Sequence, residues 1–464
     1  MKFTLKYTFL IIFLLNQVLS IAVGQTLQRI GAIEFNPHIN ESDSTGGTDV
    51  WGWTGPDSTE YAIMGISSGV AIVNTKLMEV VSIVPGPTGS AGFFHRDIKT
   101  YRHYAYVVSE KTGTNEGLMV IDLQLLPDTV EFIGSFPIDT IGGVRSHNLS
   151  IDTSKGFAYI EGQNPGVISI FDLSDPENPA FVAEFPNSGF HIHDLFARND
   201  TLYLAEGGNH SFSIWDVSDK LTPELLVRKI ITDVGFVHNV WPIDDGRYLL
   251  STEETVGKAV KMWDISELIA DSIIMVDEWL GASNFAHNVH VMGDFAFVSH
   301  YKSGVHVIDI SDPENIVEIV SYDTYIQSDN TGAKGAWGVY PHTQNGTVFV
   351  GNIEGRLIVL DFVPSNIITN FEEPPLPKQP LLIRNYPNPF NPITTIEFYL
   401  PRSGSVNLSI YNINGKLIQV LLDGELNAGT YSRIWSGANA ASGVYFYRLQ
   451  TNDSVKTGKM ALVK

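Results

Sequence analysis

The sequence contains no cysteine among its 464 residues. This absence excludes disulfide bonds, thiolate metal sites and a cysteine nucleophile. Basic residues are scarce as well, because 29 Lys and Arg stand against 51 Asp and Glu, for a formal net charge of −22. This excess of negative charge argues against a nucleic-acid partner and against simple adsorption to an anionic membrane, since like charges repel.

Long apolar runs are absent after the first 24 residues. Within that segment, Lys2 and Lys6 flank the start of a mostly apolar stretch, Tyr7–Leu15, and small residues at Ala22 and Gly24 precede Gln25. This order predicts a secretory signal peptide over residues 1–24. A membrane anchor is the alternative, but the apolar stretch is short for a span. The mature chain is therefore expected to carry no transmembrane segment.

A repeat dominates the rest of the chain. A hydrophobic strand ending in an acid or amide occurs seven times, and successive ends lie 44 to 52 residues apart. The end residues are Asn74, Asp122, Asp172, Asp216, Asp264, Asp309 and Asp361. Periods of about 40–50 residues with several short strands per unit are typical of β-propeller blades. The sequence therefore predicts an all-β, seven-bladed propeller over residues 25–364.

The last repeat lacks a fourth strand, because Asp361 is followed closely by Pro364 and a proline-rich stretch. At the other end of the chain, Leu27–Phe35 (LQRIGAIEF) resembles the outermost strands of the other repeats. We therefore expect the N-terminal strand to pair with Arg356–Asp361 and close the ring. Closure of this kind removes an exposed sheet edge.

The C-terminal part predicts a second, smaller domain. Residues 365–383 are rich in proline and read as an extended linker. Residues 384–464 contain alternating strands, with an Asn-Gly turn at Asn414-Gly415. This pattern predicts a small immunoglobulin-like β-sandwich.

Candidate binding residues recur where the innermost strand of each blade begins. Histidines and their Asp or Asn neighbours occupy matching positions, and a propeller brings such positions together at its central channel. The predicted ligand-binding residues are Asp49, Asp97, His147, His193, Asp194, His238, Asn239, His287, Asn288 and Trp337. Histidine and carboxylate side chains can also perform acid–base work, but the pattern identifies no catalytic residue.

Acidic residues that end the second strands add a possible metal site. The predicted ligands are His193, His238, Glu206 and Glu253, and their nitrogen and oxygen donors would hold a divalent metal. The other interpretation is structural. Because the residues recur in almost every blade, they are also what a scaffold would need to bond neighbouring blades together. The sequence leaves both interpretations open.

Two parts of the chain resemble known families. The strand and turn GVHVIDISDP, together with TDVWGW at Thr48–Trp53 and FAHNVHV, resembles the LVIVD repeat and the "choice-of-anchor B" propeller family. That resemblance implies a propeller in an extracellular setting and brings no established reaction. NYPNPFNPITTIEFYLP at Asn385–Pro401 and the strands after it resemble the type A sorting domain of the type IX secretion system.

The second resemblance implies where the protein goes. It implies a Bacteroidetes-like bacterium whose type IX machinery recognises residues 384–464 and exports the chain to the extracellular space or the outer-membrane surface. It also implies that this domain is removed and the propeller is released or attached to lipopolysaccharide. The expected function is to bind an extracellular protein or a polysaccharide. The alternative is a metal-dependent hydrolase or lyase with its site at the channel mouth.

Overall fold

The computed structural model describes the protein in sixteen segments. The predicted signal peptide lies outside them, as does the predicted linker except for residues 382 and 383, which begin the strand Leu382–Tyr386. The described residues are 26–35, 46–89, 95–140, 142–161, 166–186, 189–232, 235–243, 246–281, 285–325, 332–364, 382–386, 388–400, 404–426, 429–438, 440–451 and 455–464. The chain forms two compact units, residues 1–365 and 366–464. Within the described segments, no helix is both long and apolar enough to cross a membrane.

The first unit consists of seven four-stranded antiparallel sheets, so the predicted seven-bladed propeller is confirmed. The first strand of the chain is β1 (Thr26–Glu34). Blade 1 contains β2 (Gly47–Thr54), β3 (Glu60–Ile66), β4 (Gly69–Asn74) and β5 (Glu79–Pro85). Blade 2 contains β6 (Arg96–Tyr101), β7 (Tyr104–Ser109), β8 (Leu118–Asp122) and β9 (Glu131–Phe136). Blade 3 contains β10 (Leu149–Asp152), β11 (Phe157–Glu161), β12 (Val167–Asp172) and β13 (Ala180–Pro186).

The remaining blades repeat this order. Blade 4 contains β14 (Asp194–Arg198), β15 (Thr201–Ala205), β16 (Ser211–Asp216) and β17 (Glu224–Ile230). Blade 5 contains β18 (Val237–Pro242), β19 (Tyr248–Glu253), β20 (Val260–Asp264) and β21 (Ile274–Trp279). Blade 6 contains β22 (Val289–Met292), β23 (Phe295–Ser299), β24 (Val305–Asp309) and β25 (Val317–Tyr322). Blade 7 combines β1 with β26 (Ala336–Tyr340), β27 (Thr347–Asn352) and β28 (Arg356–Val363).

The N-terminal strand closes the ring as predicted. β1 pairs antiparallel with β28, from Thr26 opposite Val363 to Glu34 opposite Arg356. The side chains of Glu34 and Arg356 form an ion pair at the end of this ladder. Leu27 is only 6% exposed and belongs to the hydrophobic core of blades 6 and 7. Closure therefore rests on both backbone pairing and apolar burial.

The hydrophobic core of the propeller lies between adjacent blades. β3 and β4 are buried along their whole length because a neighbouring sheet covers each face. The outermost strands are more exposed, as the exposure of Val317 in β25 illustrates. One core cluster joins Leu250 and Val260 of blade 5 to Val298 and Ile308 of blade 6. Packing of this kind leaves the innermost strands to line the central channel.

The second unit contains two antiparallel sheets. One sheet has β29 (Leu382–Tyr386), β30 (Ile393–Leu400) and β33 (Gly429–Ser436). The other has β31 (Gly404–Asn412), β32 (Leu417–Leu426), β34 (Gly443–Thr451) and β35 (Val455–Leu462). Both sheets contribute to one apolar cluster around Trp435. The immunoglobulin-like topology stays a prediction.

Candidate functional site

Six aromatic side chains form a closed ring at the centre of the propeller, one from each of blades 2 to 7. We call this ring the axial girdle. The distances between the centroids of neighbouring side-chain rings are 4.2, 4.6, 4.2, 4.1, 4.4 and 5.4 Å. In that order, its members are His95, His147, His193, His238, His287 and Trp337. The structure thus brings together four histidines and the tryptophan that the sequence singled out.

His95 is the member of the girdle that the repeat pattern did not single out. The repeat pattern placed Arg96 at the position of the other histidines, but Arg96 is fully buried and donates to the carbonyl of Pro87. His95 lies one residue earlier and stacks on His147. The only sequence signal for it was a histidine directly before the aligned position. That signal does not tell which residue faces the axis.

Two girdle histidines bond the next blade through Nδ1. His193 Nδ1 donates to the carbonyl of His238 at 3.1 Å, and His287 Nδ1 donates to the carbonyl of Trp337 at 2.7 Å. Burial lowers the pKa of His193 well below its ordinary value and lowers the pKa of His287 to about 3. Both rings are therefore neutral. A neutral imidazole with its proton on Nδ1 keeps a lone pair on Nε2.

His147 differs from its neighbours because it has an acid partner. Its Nδ1 lies 2.5 Å from Glu110 Oε1. Burial opposes the charged form, but the hydrogen bond to Glu110 and nearby carboxylates outweigh it, so the pKa of His147 is raised. Glu161 lies near this pair, and burial raises the pKa of Glu161 to about 8. The girdle therefore combines neutral rings with one that favours a positive charge.

The predicted acids Glu206 and Glu253 do not join the histidines. The carboxylate of Glu206 is paired with Arg228, at 2.9 Å, and accepts hydrogen bonds from two serines of its own blade. Glu253 is paired with Lys261 and accepts from the backbone N–H of Gly235. Both acids are fully buried, so each needs its cation nearby.

A layer of acids and amides follows the girdle along the channel. We call it the acid–amide layer. Its members are Asp49, Asp97, Asn148, Asp194, Asn239 and Asn288. Blade 7 has Gly338 here, where a Cβ atom would come within 2.3 Å of Asp49 Oδ1. Five of these six residues were predicted as ligand-binding, and Asn148 belongs to the same repeat.

Members of this layer hydrogen-bond to neighbouring blades. Asp97 Oδ2 accepts from the backbone N–H of Leu149 at 2.7 Å, in blade 3. Asn239 Nδ2 donates to Asp194 Oδ2 at 2.6 Å, between blades 5 and 4. Asn148 Nδ2 donates to the carbonyl of His193, also at 2.6 Å. The layer therefore fastens adjacent blades, which is what the structural interpretation of the repeat expects.

Burial disfavours the charged forms of the acids in this layer. It raises the pKa of Asp194 to about 6 and the pKa of Asp49 well above its ordinary value. Lys99 is the cation among these acids, with Nζ 2.5 Å from Asp97 Oδ1 and 3.8 Å from Asp49 Oδ2. Burial lowers the pKa of Lys99, but the charges of Asp97 and Asp49 outweigh that effect and raise it.

A cavity of about 500 Å³ lies in the channel between the acid–amide layer and a third layer, which is aromatic. We call this third layer the aromatic collar. Its members are Trp51, Phe196, Trp241, His290, Tyr340 and His342. Trp241 contacts His290 at 4.3 Å and Phe196 at 4.5 Å between ring centroids. Lys99 Nζ lies 4.4 Å from the centre of Trp51. Trp51 and Trp241 lie on the innermost strands β2 and β18.

Several buried polar atoms of the cavity residues lack a hydrogen-bond partner within the described part of the chain. Asn288 Oδ1 and His290 Nδ1 are among them. Burying a polar atom without a partner costs free energy. A ligand or water in the cavity would satisfy both atoms. The channel therefore offers acceptors, donors and aromatic faces around one cavity.

Comparisons with known proteins match both parts of the chain. Residues 285–324 match the family described as "LVIVD repeat", and residues 384–464 match the "Secretion system C-terminal sorting domain". Both predicted resemblances are thereby confirmed. A sorting domain of this kind directs a protein to the cell surface or the extracellular space, and its recognition requires the secretion machinery. This protein is therefore exported to the cell surface or beyond.

One solved structure supports the fold, and the fold alone. A chain of a mitotic checkpoint complex is 12% identical, with a TM-score of 0.53, covering 78% of this chain and 98% of that chain. The computationally designed Ika8 protein is also 12% identical, with a TM-score of 0.44, covering 64% of this chain and 80% of that chain. No curated protein matches the sequence. At this identity, function has to be argued from the channel itself.

Proposed function

We propose that this exported propeller is a glycan-binding protein whose axial cavity takes one or two sugar units. The observation that carries the proposal is the placement of the aromatic collar and the acid–amide layer around one cavity of about 500 Å³. That volume falls within the range of about 300–1,000 Å³ found for small-molecule sites. Export to the cell surface or the extracellular space places the cavity where polysaccharides occur.

The chemistry of the cavity suits a polyhydroxyl ligand. Sugar rings present C–H faces that pack on aromatic rings, and Trp51 and Trp241 provide two such rings. Sugar hydroxyls both donate and accept hydrogen bonds. Asp49 and Asp194 supply acceptors, whereas Lys99 supplies a donor. The unpartnered Oδ1 of Asn288 adds a further acceptor that a hydroxyl would satisfy.

Sorting is part of the same proposal. The C-terminal unit serves export, and its removal leaves the propeller as the functional product. Attachment of that product to lipopolysaccharide, rather than its release, would place the cavity on the outer-membrane surface. Mass spectrometry of the surface fraction tests this step, because an intact C-terminal Lys464 there would contradict removal.

Binding is tested with the mature protein on an array of defined mono- to tetrasaccharides, followed by calorimetry with each sugar that binds. Trp241→Phe and Trp51→Phe should each weaken affinity about tenfold, since the smaller ring loses contact area and the indole N–H. Trp279→Phe is the matched control, because Trp279 lies on the outermost strand of blade 5 and does not line the cavity. An array with no sugar above background would overturn the proposal, as would unchanged affinity in Trp241→Phe.

A further inference from the structure

We propose that the axial girdle holds one divalent transition-metal ion, with His193, His238 and Glu254 as its protein ligands. Each residue offers one ligand atom, and these three atoms all lie within 4.8 Å of one another. The two histidines start the inner strands of adjacent blades, and Glu254 directly follows β19. The ion is independent of the proposed glycan site, because none of its three ligands lines the cavity.

Two of the three ligand side chains, those of His193 and Glu254, are oriented by a second hydrogen bond. His193 donates through Nδ1 to the carbonyl of His238 at 3.1 Å, which leaves Nε2 with its lone pair. The hydroxyl of Tyr301 donates to Glu254 Oε1, which leaves Oε2 for the histidines. Metal sites in proteins commonly hold their ligands this way, with a second hydrogen bond that fixes the tautomer or the carboxylate orientation.

The spacing between ligand atoms fits a small ion. His238 Nε2 lies 3.8 Å from Glu254 Oε2. Two ligands of a tetrahedral ion, each about 2.0–2.1 Å from the metal, lie about 3.3 Å apart. Shifting each of the two atoms by a few tenths of an ångström would therefore let both bind one ion. The histidine rings are also close enough, at 4.2 Å between centroids, for both to reach one ion.

The donor set favours zinc over the hard cations. Two imidazole nitrogens with one carboxylate oxygen are typical of zinc sites that keep an open coordination position. Calcium takes six to eight oxygen ligands, and magnesium prefers octahedral oxygen ligands, which a single carboxylate does not supply. His287 adds a nearby fourth donor, because its buried Nε2 has no hydrogen-bond partner among the described residues and its ring lies 4.1 Å from that of His238.

His147, the girdle histidine paired with Glu110, is a poor metal ligand. The Nδ1 atom of His147 is engaged by Glu110 at 2.5 Å, so that nitrogen is already used. The three proposed ligand atoms gather instead where Glu254 and Tyr301 lie. Neither of those residues stood out in the sequence repeat, since neither falls at a matched position.

The test measures zinc on full-length protein expressed without a histidine tag, stripped with a chelator and titrated against a chromogenic zinc indicator. We expect one zinc per chain and a higher melting temperature when zinc is added, because an ion that binds only the folded state stabilises it. His193→Gln, His238→Gln and Glu254→Gln should each weaken zinc binding at least 100-fold. Tyr301→Phe should weaken it about tenfold, as removal of an orienting partner does.

His103→Gln is the matched control, because His103 lies on a partly exposed turn of blade 2, outside the girdle. It should bind zinc like the unmodified protein. The proposal is overturned if the stripped protein does not compete with the indicator, or if Glu254→Gln binds zinc normally. If a histidine variant fails to fold, Glu254→Gln and Tyr301→Phe decide, because the side chains of Glu254 and Tyr301 bond to each other, whereas His193 bonds the backbone of the next blade. Sugar binding is measured separately, so either proposal can fail alone.

Discussion

The interior of the propeller is rich in polar side chains, whereas the interior of the C-terminal unit is almost entirely apolar. Among the residues whose burial is described, only Thr394 and Ser409 are buried polar residues of the C-terminal unit. The propeller buries acids, amides, histidines and even Lys261. The difference follows from architecture, because seven sheets around an axis enclose a channel, whereas the two sheets of the C-terminal unit share one apolar cluster. Sites for binding chemistry are therefore concentrated in the propeller.

Removal of β1 should destabilise the propeller more than any other change considered below. It exposes the edge of β28 and removes Leu27 from its core, so the propeller should lose at least about 10 °C of melting temperature. Removal of β35, the edge strand of the C-terminal unit, is the control. It should leave the propeller transition in place. Equal melting temperatures with and without β1, measured by calorimetry, would contradict closure.

Lys261→Met should destabilise the propeller next most strongly. It leaves the fully buried carboxylate of Glu253 without its cation, and breaking a buried pair from one side costs about 3–5 kcal/mol. The expected loss of melting temperature is about 10 °C. The double variant Glu253→Gln with Lys261→Met should recover most of it, because no charge remains buried. A double variant as unstable as Lys261→Met would show that packing matters more than charge.

Glu161 should make stability depend on pH. Burial raises its pKa from 4.5 to about 8, so the folded state holds a proton that the unfolded state releases. Stability contributed by this proton is present below about pH 4.5 and is lost as the pH rises toward 8. Glu161→Gln stays neutral, so its melting temperature should exceed that of the unmodified protein by about 5 °C at pH 8 and match it at pH 4.5. A constant difference across this range would refute the assignment.

Removal of residues 382–464 should have the smallest effect on the propeller itself. The two units form separate cores, so the propeller transition should shift by no more than about 1 °C. Export should nevertheless be lost, because these residues contain the sorting domain. Immunoblots of cell and culture fractions measure export, and calorimetry measures stability. A truncated protein that still reached the surface would break the division of roles between the units.

Much of the architecture could be predicted because the repeat is local. Each blade carries its own strand pattern, and the end residues from Asn74 to Asp361 mark the period. The closing strand was also predictable, since β1 resembles the outer strands and blade 7 lacked one. The same local logic identified His147, His193, His238 and His287 as matching positions.

Two of the three proposed metal ligands were predictable from the sequence. His193 and His238 followed from the repeat, but Glu206 and Glu253, which also followed from it, are paired with Arg228 and Lys261. Glu254 directly follows Glu253, which is the residue at the matched position of the repeat. Adjacent side chains along a strand point to opposite sides. A one-residue offset therefore decides which carboxylate faces the axis, and the sequence pattern does not contain that offset.

The sequence by itself determined the number of blades, the closing strand, the export signal and the ring of matching polar residues, because all of these are written in local patterns. Only the tertiary structure decided that His95 completes the girdle, that the acid–amide layer fastens blades, and that the tryptophans surround a cavity. Those facts depend on how seven sheets tilt toward one axis. Residues from different blades become neighbours there although about 45 to 50 positions separate them in the chain.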